Sequence, residues 1–196
     1  MRYLVVVAIL VLGRMLWGAI ERRWFSGQRP GTDTESMQKS DLLVILRLAS
    51  KSLQPAEVEA TAQAAWGQTF GRNPDETDFL DRCVPGVMSV IQAHGNAFLI
   101  AGLKREDRKL DSPTVFLPPS ASALWEEFTH DLSVGLMHAY DSDPKRLQLF
   151  LTRLVAELCD DQSIAIYHPK SRTLWELTPA ILELLRDKPG AFFECA

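Results

Sequence analysis

Two stretches of the chain repeat one pattern of hydrophobic and polar positions. Asp41–Ala49 and Asp131–Ala139 are apolar, β-prone runs that each open with Asp-Leu. Each leads through a polar turn into an amphipathic helix that begins at a proline, and then into a strand that ends at a histidine, His94 or His168. Because strand, helix and strand follow one another twice, the pattern predicts a sheet with helices packed on it.

The helices are predicted from the spacing of their apolar residues. Helices Pro55–Gln68 and Pro144–Asp160 begin at a proline, which is favoured in the first turn, and Asp143 can cap the second. A third helix follows Ser120, and a last one follows Thr178-Pro179. The apolar faces are Val58, Ala62, Ala65 and Trp66; Leu147, Leu151, Leu154 and Leu158; Ala121, Leu124, Trp125 and Phe128; and Ile181, Leu184 and Leu185.

Short turns set the direction of the strands. The segments at His94-Gly95-Asn96 and Pro169-Lys170-Ser171 each separate two apolar runs, so they predict antiparallel hairpins, with Thr173–Leu177 as an edge strand. The predicted fold is therefore α+β. It is a two-layer sandwich of two β-α-β-β-like halves, with the two long helices on one face, and not a doubly wound parallel sheet.

The N-terminus carries a separate hydrophobic signal. Residues 3–20 are apolar except for Arg14, and as one helix they would be about 27 Å long, enough for a thin bilayer. Arg14 lies off-centre and can snorkel toward Arg22 and Arg23. We therefore expect a transmembrane anchor at residues 1–23, a flexible linker at 24–40 and an α+β domain at 41–196.

The charges that flank the anchor predict its orientation. Arg22, Arg23 and Arg29 follow the apolar run, whereas Arg2 alone precedes it, so the domain is expected on the cytoplasmic side of the inner membrane. A cleaved signal peptide is the alternative, but no small-x-small cleavage site follows the run. A translation start at Met37 would instead give a soluble cytoplasmic protein.

Composition argues against several classes of function. Lys and Arg number 21 against 25 Asp and Glu, for a net charge of −4, so nucleic acid is not an expected partner. The three cysteines, Cys83, Cys159 and Cys195, lack the paired spacing of a disulfide scaffold or a zinc site. No cofactor is expected from any motif in the chain.

A series of segments resembles a known kind of domain. It comprises the first strand and helix, an acidic stretch ending in Phe79, a hairpin, Leu132-Ser133-Val134, the helix Pro144–Asp161 and Ile164-Ala165-Ile166-Tyr167-His168-Pro169. This series resembles an uncharacterised bacterial α/β domain family, a domain of unknown function, over roughly residues 41–187. The resemblance implies a fold and carries no catalytic residue with it.

Two histidines are the candidate ligand-binding residues. His94 and His168 end strands that would be equivalent in a duplicated fold, and in one cleft they could bind a ligand or act as acid and base. Exposed strand ends are the plainer interpretation. Glu126 and His130 are spaced for one helix face, but the pattern lacks a metal-binding motif, so no metal-ligating or catalytic residue is predicted.

The sequence favours a binding role over catalysis. The first hypothesis is a membrane-tethered, non-catalytic domain of protein-interaction or regulatory function, which binds a protein partner or itself through the edge strand or an apolar patch. The alternative is a small hydrolase or ligand-binding enzyme that uses a cleft containing His94 and His168. A fold alone does not decide between them.

Overall fold

Eight strands form one sheet in the computed structural model, which describes residues 42–67, 69, 79–84, 88–93, 95–108, 110–139 and 143–193, with residues 79–84 and 138 described by their backbone. The strands are β1 (Leu42–Arg47), β2 (Phe79–Val84), β3 (Met88–Ala93), β4 (Asn96–Lys104), β5 (Val115–Leu117), β6 (His130–His138), β7 (Ser163–His168) and β8 (Thr173–Glu176). The helices are α1 (Pro55–Trp66), α2 (Ser122–Glu127), α3 (Pro144–Leu158), α4 (Pro179–Asp187) and α5 (Gly190–Phe193).

The strand order is β2-β3-β4-β6-β1-β7-β8-β5. All neighbours are antiparallel except β5 and β8, which are parallel, so the sheet is mixed. Both predicted hairpins are confirmed, and Gly95 in the β3–β4 turn has a φ of 77°, a left-handed conformation that glycine adopts without strain. The α+β class is confirmed.

The two long helices, α1 and α3, cover one face of the sheet, as predicted. Leu43 and Ile45 of β1 point to this face and share a core with the apolar stripes of α1 and α3. Helix α3 packs against both α1 and α4. Trp66, at the end of α1, contacts both α3 and the sheet. Its indole nitrogen donates a hydrogen bond to the Phe150 carbonyl oxygen, and its ring lies 5.2 Å from the Phe98 ring.

The opposite face carries a second, smaller core, so the prediction of two simple layers is incomplete. Val44 and Leu46 of β1 point to this face and belong to one cluster with Tyr167 and residues of the connection between β5 and β6. In that connection, α2 places Trp125 5.3 Å from the Tyr167 ring. The sheet therefore has a helical layer on one face and a partial cover, built from α2 and its flanking turns, on the other.

Four further differences from the sequence prediction concern the strands. The sequence did not predict β5, and it assigned the start of β2 to an acidic connection. Because β5 pairs with β8, Thr173–Leu177 is not an edge strand. The two halves also diverge after their first helices. Strand β7 pairs directly with β1, whereas β3 is separated from β6 by β4.

The predicted anchor and linker lie outside the described residues. Within the part of the chain that the structure describes, no helix is both long enough and apolar enough to cross a membrane. All of the described residues belong to one unit of the chain, Ser36–Ala196.

A partly buried ion cluster fixes the end of α3 to the central strand β1. Both Asp160 carboxylate oxygens accept hydrogen bonds from Arg47, at 2.8 and 3.0 Å, and one also accepts from Lys51 at 2.9 Å. Arg47 is 2% exposed and also donates to Ser163. Burial opposes ionisation of Asp160, but the hydrogen bonds and charges of Arg47 and Lys51 prevail and lower its pKa below the ordinary 3.8.

We expect Asp160→Asn to lower the free energy of unfolding by about 2–4 kcal/mol at neutral pH, because it leaves the Arg47 guanidinium buried without its counter-charge. Since the folded-state pKa of Asp160 lies below 3.8, the carboxylate stabilises the fold above that pH and loses its effect as the pH falls further. The difference from wild type should therefore shrink below about pH 4.

Urea unfolding of both proteins at pH 7 and pH 3 measures this effect. Asp161→Asn, which changes an exposed neighbour, is the matched control and should unfold as the wild type does. An Asp160→Asn protein as stable as this control would contradict a stabilising role for the cluster.

Candidate functional site

A pocket of about 460 Å³ lies on the second face of the sheet. It is enclosed by the segment that follows β4, by the end of α2 and by the start of β6. Its volume falls within the range of small-molecule sites. The described residues that line it are Arg105, Arg108, Leu110, Asp111, Ser112, Trp125, Phe128 and Asp131.

Hydrogen bonds hold residues 105–108 and 110–112, which form one wall of the pocket. At one end the Arg105 backbone nitrogen donates to the Thr129 carbonyl oxygen at 2.9 Å. At the other end the Tyr167 hydroxyl donates to the Asp111 carbonyl oxygen at 2.6 Å, and the Arg172 guanidinium donates twice to the Ser112 carbonyl oxygen. Because both ends are tied to the sheet or its turns, this wall has a defined position relative to the strands.

Arg105 closes the pocket on the side of α2. Its guanidinium lies 4.4 Å from the centre of the Phe128 ring and donates to the Glu126 carbonyl oxygen at 2.9 Å. A cation over an aromatic face and a bond to a free carbonyl at a helix end are both favourable. Arg105 therefore joins the segment after β4 to the C-terminal end of α2.

Asp131 forms the floor of the pocket with Arg108 beside it. The Arg108 Nη1 atom donates to Asp131 Oδ1 at 2.7 Å and also to the Ser133 hydroxyl oxygen. Asp131 and Ser133 alternate with the apolar residues Leu132 and Val134 along β6, which places both polar side chains on the pocket face. The Asp131 side chain has no exposed surface.

The second carboxylate oxygen of Asp131 lacks a donor. Among the described residues, Oδ2 is buried and has no hydrogen-bond partner. Burial raises the pKa of Asp131 above the ordinary 3.8, although the charge and hydrogen bond of Arg108 oppose this shift. A buried acceptor without a donor destabilises the fold, and it is also a group that a ligand can satisfy.

The predicted histidine cleft receives no support from the described residues. His168 is 1% exposed, shares a hydrogen bond with the Ser171 hydroxyl at 2.9 Å and lies 5.3 Å from the Phe193 ring on the helical face. His94 lies outside the described residues. The strands that lead to the two histidines, β3 and β7, are four strand positions apart, about 19 Å at the usual spacing.

The other candidates from the sequence are also separated by the fold. Helix α2 ends at Glu127 and His130 begins β6, so Glu126 and His130 do not share a helix face. No cluster of metal-ligating side chains occurs in the described part of the chain. Burial raises the pKa of the Cys159 thiol to about 12, and its sulfur donates to the Val155 carbonyl oxygen, so this cysteine is not an activated nucleophile.

Sequence reasoning missed Arg105, Arg108 and Asp131. It assigned no role to Arg105 or Arg108 and predicted Asp131 as the start of a β-prone run. The available signal was the alternation of Asp131 and Ser133 in an otherwise apolar strand. In a central strand such an alternation places polar groups on a buried face, where they need partners.

Comparisons with known proteins give no further guide to this site, since no family model, no curated protein and no solved structure matches the chain. The resemblance to an uncharacterised bacterial α/β domain therefore stays a prediction.

We expect Arg108→Gln to destabilise the protein by about 1–3 kcal/mol at neutral pH, because it removes the counter-charge of a buried carboxylate. Without Arg108 the pKa of Asp131 should rise further. An aspartate with a raised pKa costs stability when ionised, and this cost is relieved as the pH falls through the folded-state pKa toward 3.8. The variant should therefore recover stability relative to wild type on acidification.

Chemical denaturation from pH 7.5 to pH 4 checks this profile. Lys170→Gln removes an exposed cation from the β7–β8 turn and serves as the control. If Arg108→Gln and wild type show parallel pH profiles, Arg108 does not govern the ionisation of Asp131.

Proposed function

We propose that this chain is a membrane-tethered, non-catalytic binding domain with a regulatory role, whose pocket on the second face of the sheet receives a small polar ligand. The observation that carries the proposal is that Oδ2 of Asp131, at the floor of this pocket, has no hydrogen-bond partner among the residues that the structure describes. Natural proteins leave few buried polar groups without a partner, and such groups often mark sites of function. Here the group lines a cavity of ligand size.

The composition of the pocket supports binding of a polar ligand. Trp125 and Phe128 supply apolar surface, while Arg105, Arg108 and Asp131 supply charged groups from different directions. Apolar surface next to oriented polar groups is found in sites for small molecules. Hydrogen bonds to Glu126 and Asp131 keep the Arg105 and Arg108 guanidinium groups in place before a ligand arrives, which lowers the entropic cost of binding.

The alternative of a small hydrolase or ligand-binding enzyme with a histidine-containing cleft has less support. His168 is packed beneath Phe193 and its hydrogen bond with Ser171 is internal. A general acid or base must come within hydrogen-bond reach of a substrate, directly or through one water. The packing of His168 gives a substrate no such approach.

The membrane tether is proposed from the apolar residues 3–20 and the arginines that follow them. In this proposal the N-terminal segment holds the domain at the cytoplasmic face of the inner membrane. A protein partner or a second copy of the chain would need a surface other than β8, since β5 already pairs with that strand. In this proposal, a partner at the membrane surface would respond to whether a ligand is bound in the pocket.

Binding in the pocket can be tested with three probes of similar size, benzamide, benzamidine and benzoate, by saturation-transfer NMR on the full chain in mild detergent. At least one of the two probes that carry N–H donors should bind, and benzoate should bind more weakly because its charge repels Asp131. Asp131→Asn should abolish the saturation-transfer signals of benzamide and benzamidine, the two probes that carry N–H donors. Absence of binding by all three probes, or binding that Asp131→Asn leaves unchanged, would count against the pocket as the site.

The tether can be tested by membrane fractionation. The full chain, tagged at its C-terminus, should sediment with membranes and resist carbonate extraction, because residues 3–20 supply enough apolar length to span the bilayer. A chain that starts at Met37 should stay in the supernatant. Recovery of the full chain in the soluble fraction would refute the tether.

A further inference from the structure

The hydrogen-bonding groups around Asp131 indicate which class of ligand the proposed pocket binds. This inference rests on the proposed binding function. Asp131 Oδ2 is a buried hydrogen-bond acceptor that has no donor among the described residues. Its partner oxygen, Oδ1, is occupied by Arg108 at 2.7 Å. A ligand must therefore present a donor to Oδ2.

A donor of the protein lies beside this acceptor. Both side-chain hydrogen bonds of Arg108 use its Nη1 atom, one to Asp131 and one to Ser133. Nε and Nη2 of the same guanidinium have no acceptor among the described residues, and they can donate to a ligand. The pocket thus offers an acceptor and donors next to each other at its floor.

The charge balance of the pocket indicates a neutral ligand. Arg105 and Arg108 are matched by Asp111 and Asp131 among the lining residues. An anion that meets Arg108 would also lie near the Asp131 carboxylate, and a cation that meets Asp131 would also lie near the Arg108 guanidinium, so either would meet repulsion as well as attraction. A neutral molecule with its own paired donor and acceptor avoids both.

We infer that the pocket binds a neutral, planar heterocycle with an N–H beside a C=O on one edge, the lactam or imide edge of a nucleobase-type ring. The N–H donates to Asp131 Oδ2, the adjacent carbonyl oxygen accepts from Arg108, and the ring lies against the apolar wall of Trp125 and Phe128. The edge is that of a cis amide. A peptide bond is trans, so its N–H and C=O point in opposite directions and cannot meet both groups.

Uracil and 1,3-dimethyluracil are matched probes for this inference, because they share the ring and the carbonyl groups and differ in the N–H donors. Titration of the full chain in mild detergent, followed by calorimetry and saturation-transfer NMR, should give uracil an affinity at least about tenfold higher than that of dimethyluracil. Equal affinities for the two probes would overturn the inference.

Substitutions test whether the uracil affinity depends on Asp131. Asp131→Asn keeps the size of the side chain but turns an amide donor toward the ligand N–H, since the amide oxygen is the group that can accept from Arg108. Uracil binding should fall by about tenfold or more. Asp107→Asn changes an exposed aspartate of the turn 105–107 and should bind uracil as the wild type does. An equal loss in both variants would overturn the assignment to Asp131.

Arg108→Lys is the second variant, for the case in which Asp131→Asn fails to fold. Lysine keeps a positive charge beside Asp131 but loses the planar guanidinium that can serve two acceptors at once. It should weaken uracil binding by a larger factor than it weakens the already weak binding of dimethyluracil. Uracil affinity equal to that of wild type would contradict the role of Arg108.

The outcomes separate this inference from the function on which it rests. If uracil fails to bind but benzamide or benzamidine binds in a manner that depends on Asp131, the heterocycle is wrong and the binding pocket stands. If none of these probes binds, both proposals fail.

Discussion

The antiparallel pairing of β1 with β6 is the constraint on which the rest of the structure depends. Both strands are central, so their alternate side chains enter two different cores. In this register Leu43 lies opposite Val134 on the helical face, and Leu46 lies opposite Asp131 on the other face. A shift by one residue would exchange the two sets and place Asp131 among the leucines of the helical layer. The pocket therefore exists in one register of these two strands.

Two carboxylates that form ion pairs at these strands differ in their hydrogen bonding and in the direction of their pKa shifts. Asp160 has donors on both oxygens, from Arg47 and Lys51, and its pKa falls. Asp131 has a donor on one oxygen within the described part of the chain, and burial raises its pKa. The first arrangement is complete within the chain and joins α3 to β1. The second is incomplete, which is why it is the better candidate for recognition.

Much of the fold follows from local sequence. The caps of α3 and α4 form as expected, with the Asp143 and Thr178 side chains accepting from Lys145 and Ile181 backbone nitrogens. Proline at the start and glycine at the end also delimit α1, where Gly67 adopts a φ of 70°. These signals act within one or two turns of chain, and the sequence displays them directly.

The pairing of the strands and the residues of the pocket could not be predicted from such local signals. Strand β5 has three residues and is a strand because β8 lies beside it, a contact between distant parts of the chain. Arg108 and Asp131 are 23 positions apart, and their meeting depends on the neighbouring places of β4 and β6 in the sheet. The histidine hypothesis assumed equivalent halves. That assumption has no support from the sheet, because β3 and β7 occupy different positions relative to the central pair.

The pocket lies on the second face because of how that face is covered. Long helices with continuous leucine stripes fill the first face, whereas the second is covered by one short helix and turns held by hydrogen bonds from Arg105, Tyr167 and Arg172. Such a cover follows the sheet less closely and leaves space above β6. A buried carboxylate oxygen that has no donor, as Asp131 Oδ2 has none among the described residues, lowers the stability of the fold. A donor that reaches Asp131 removes this cost on binding, so the group that weakens the fold also contributes to the free energy of recognition.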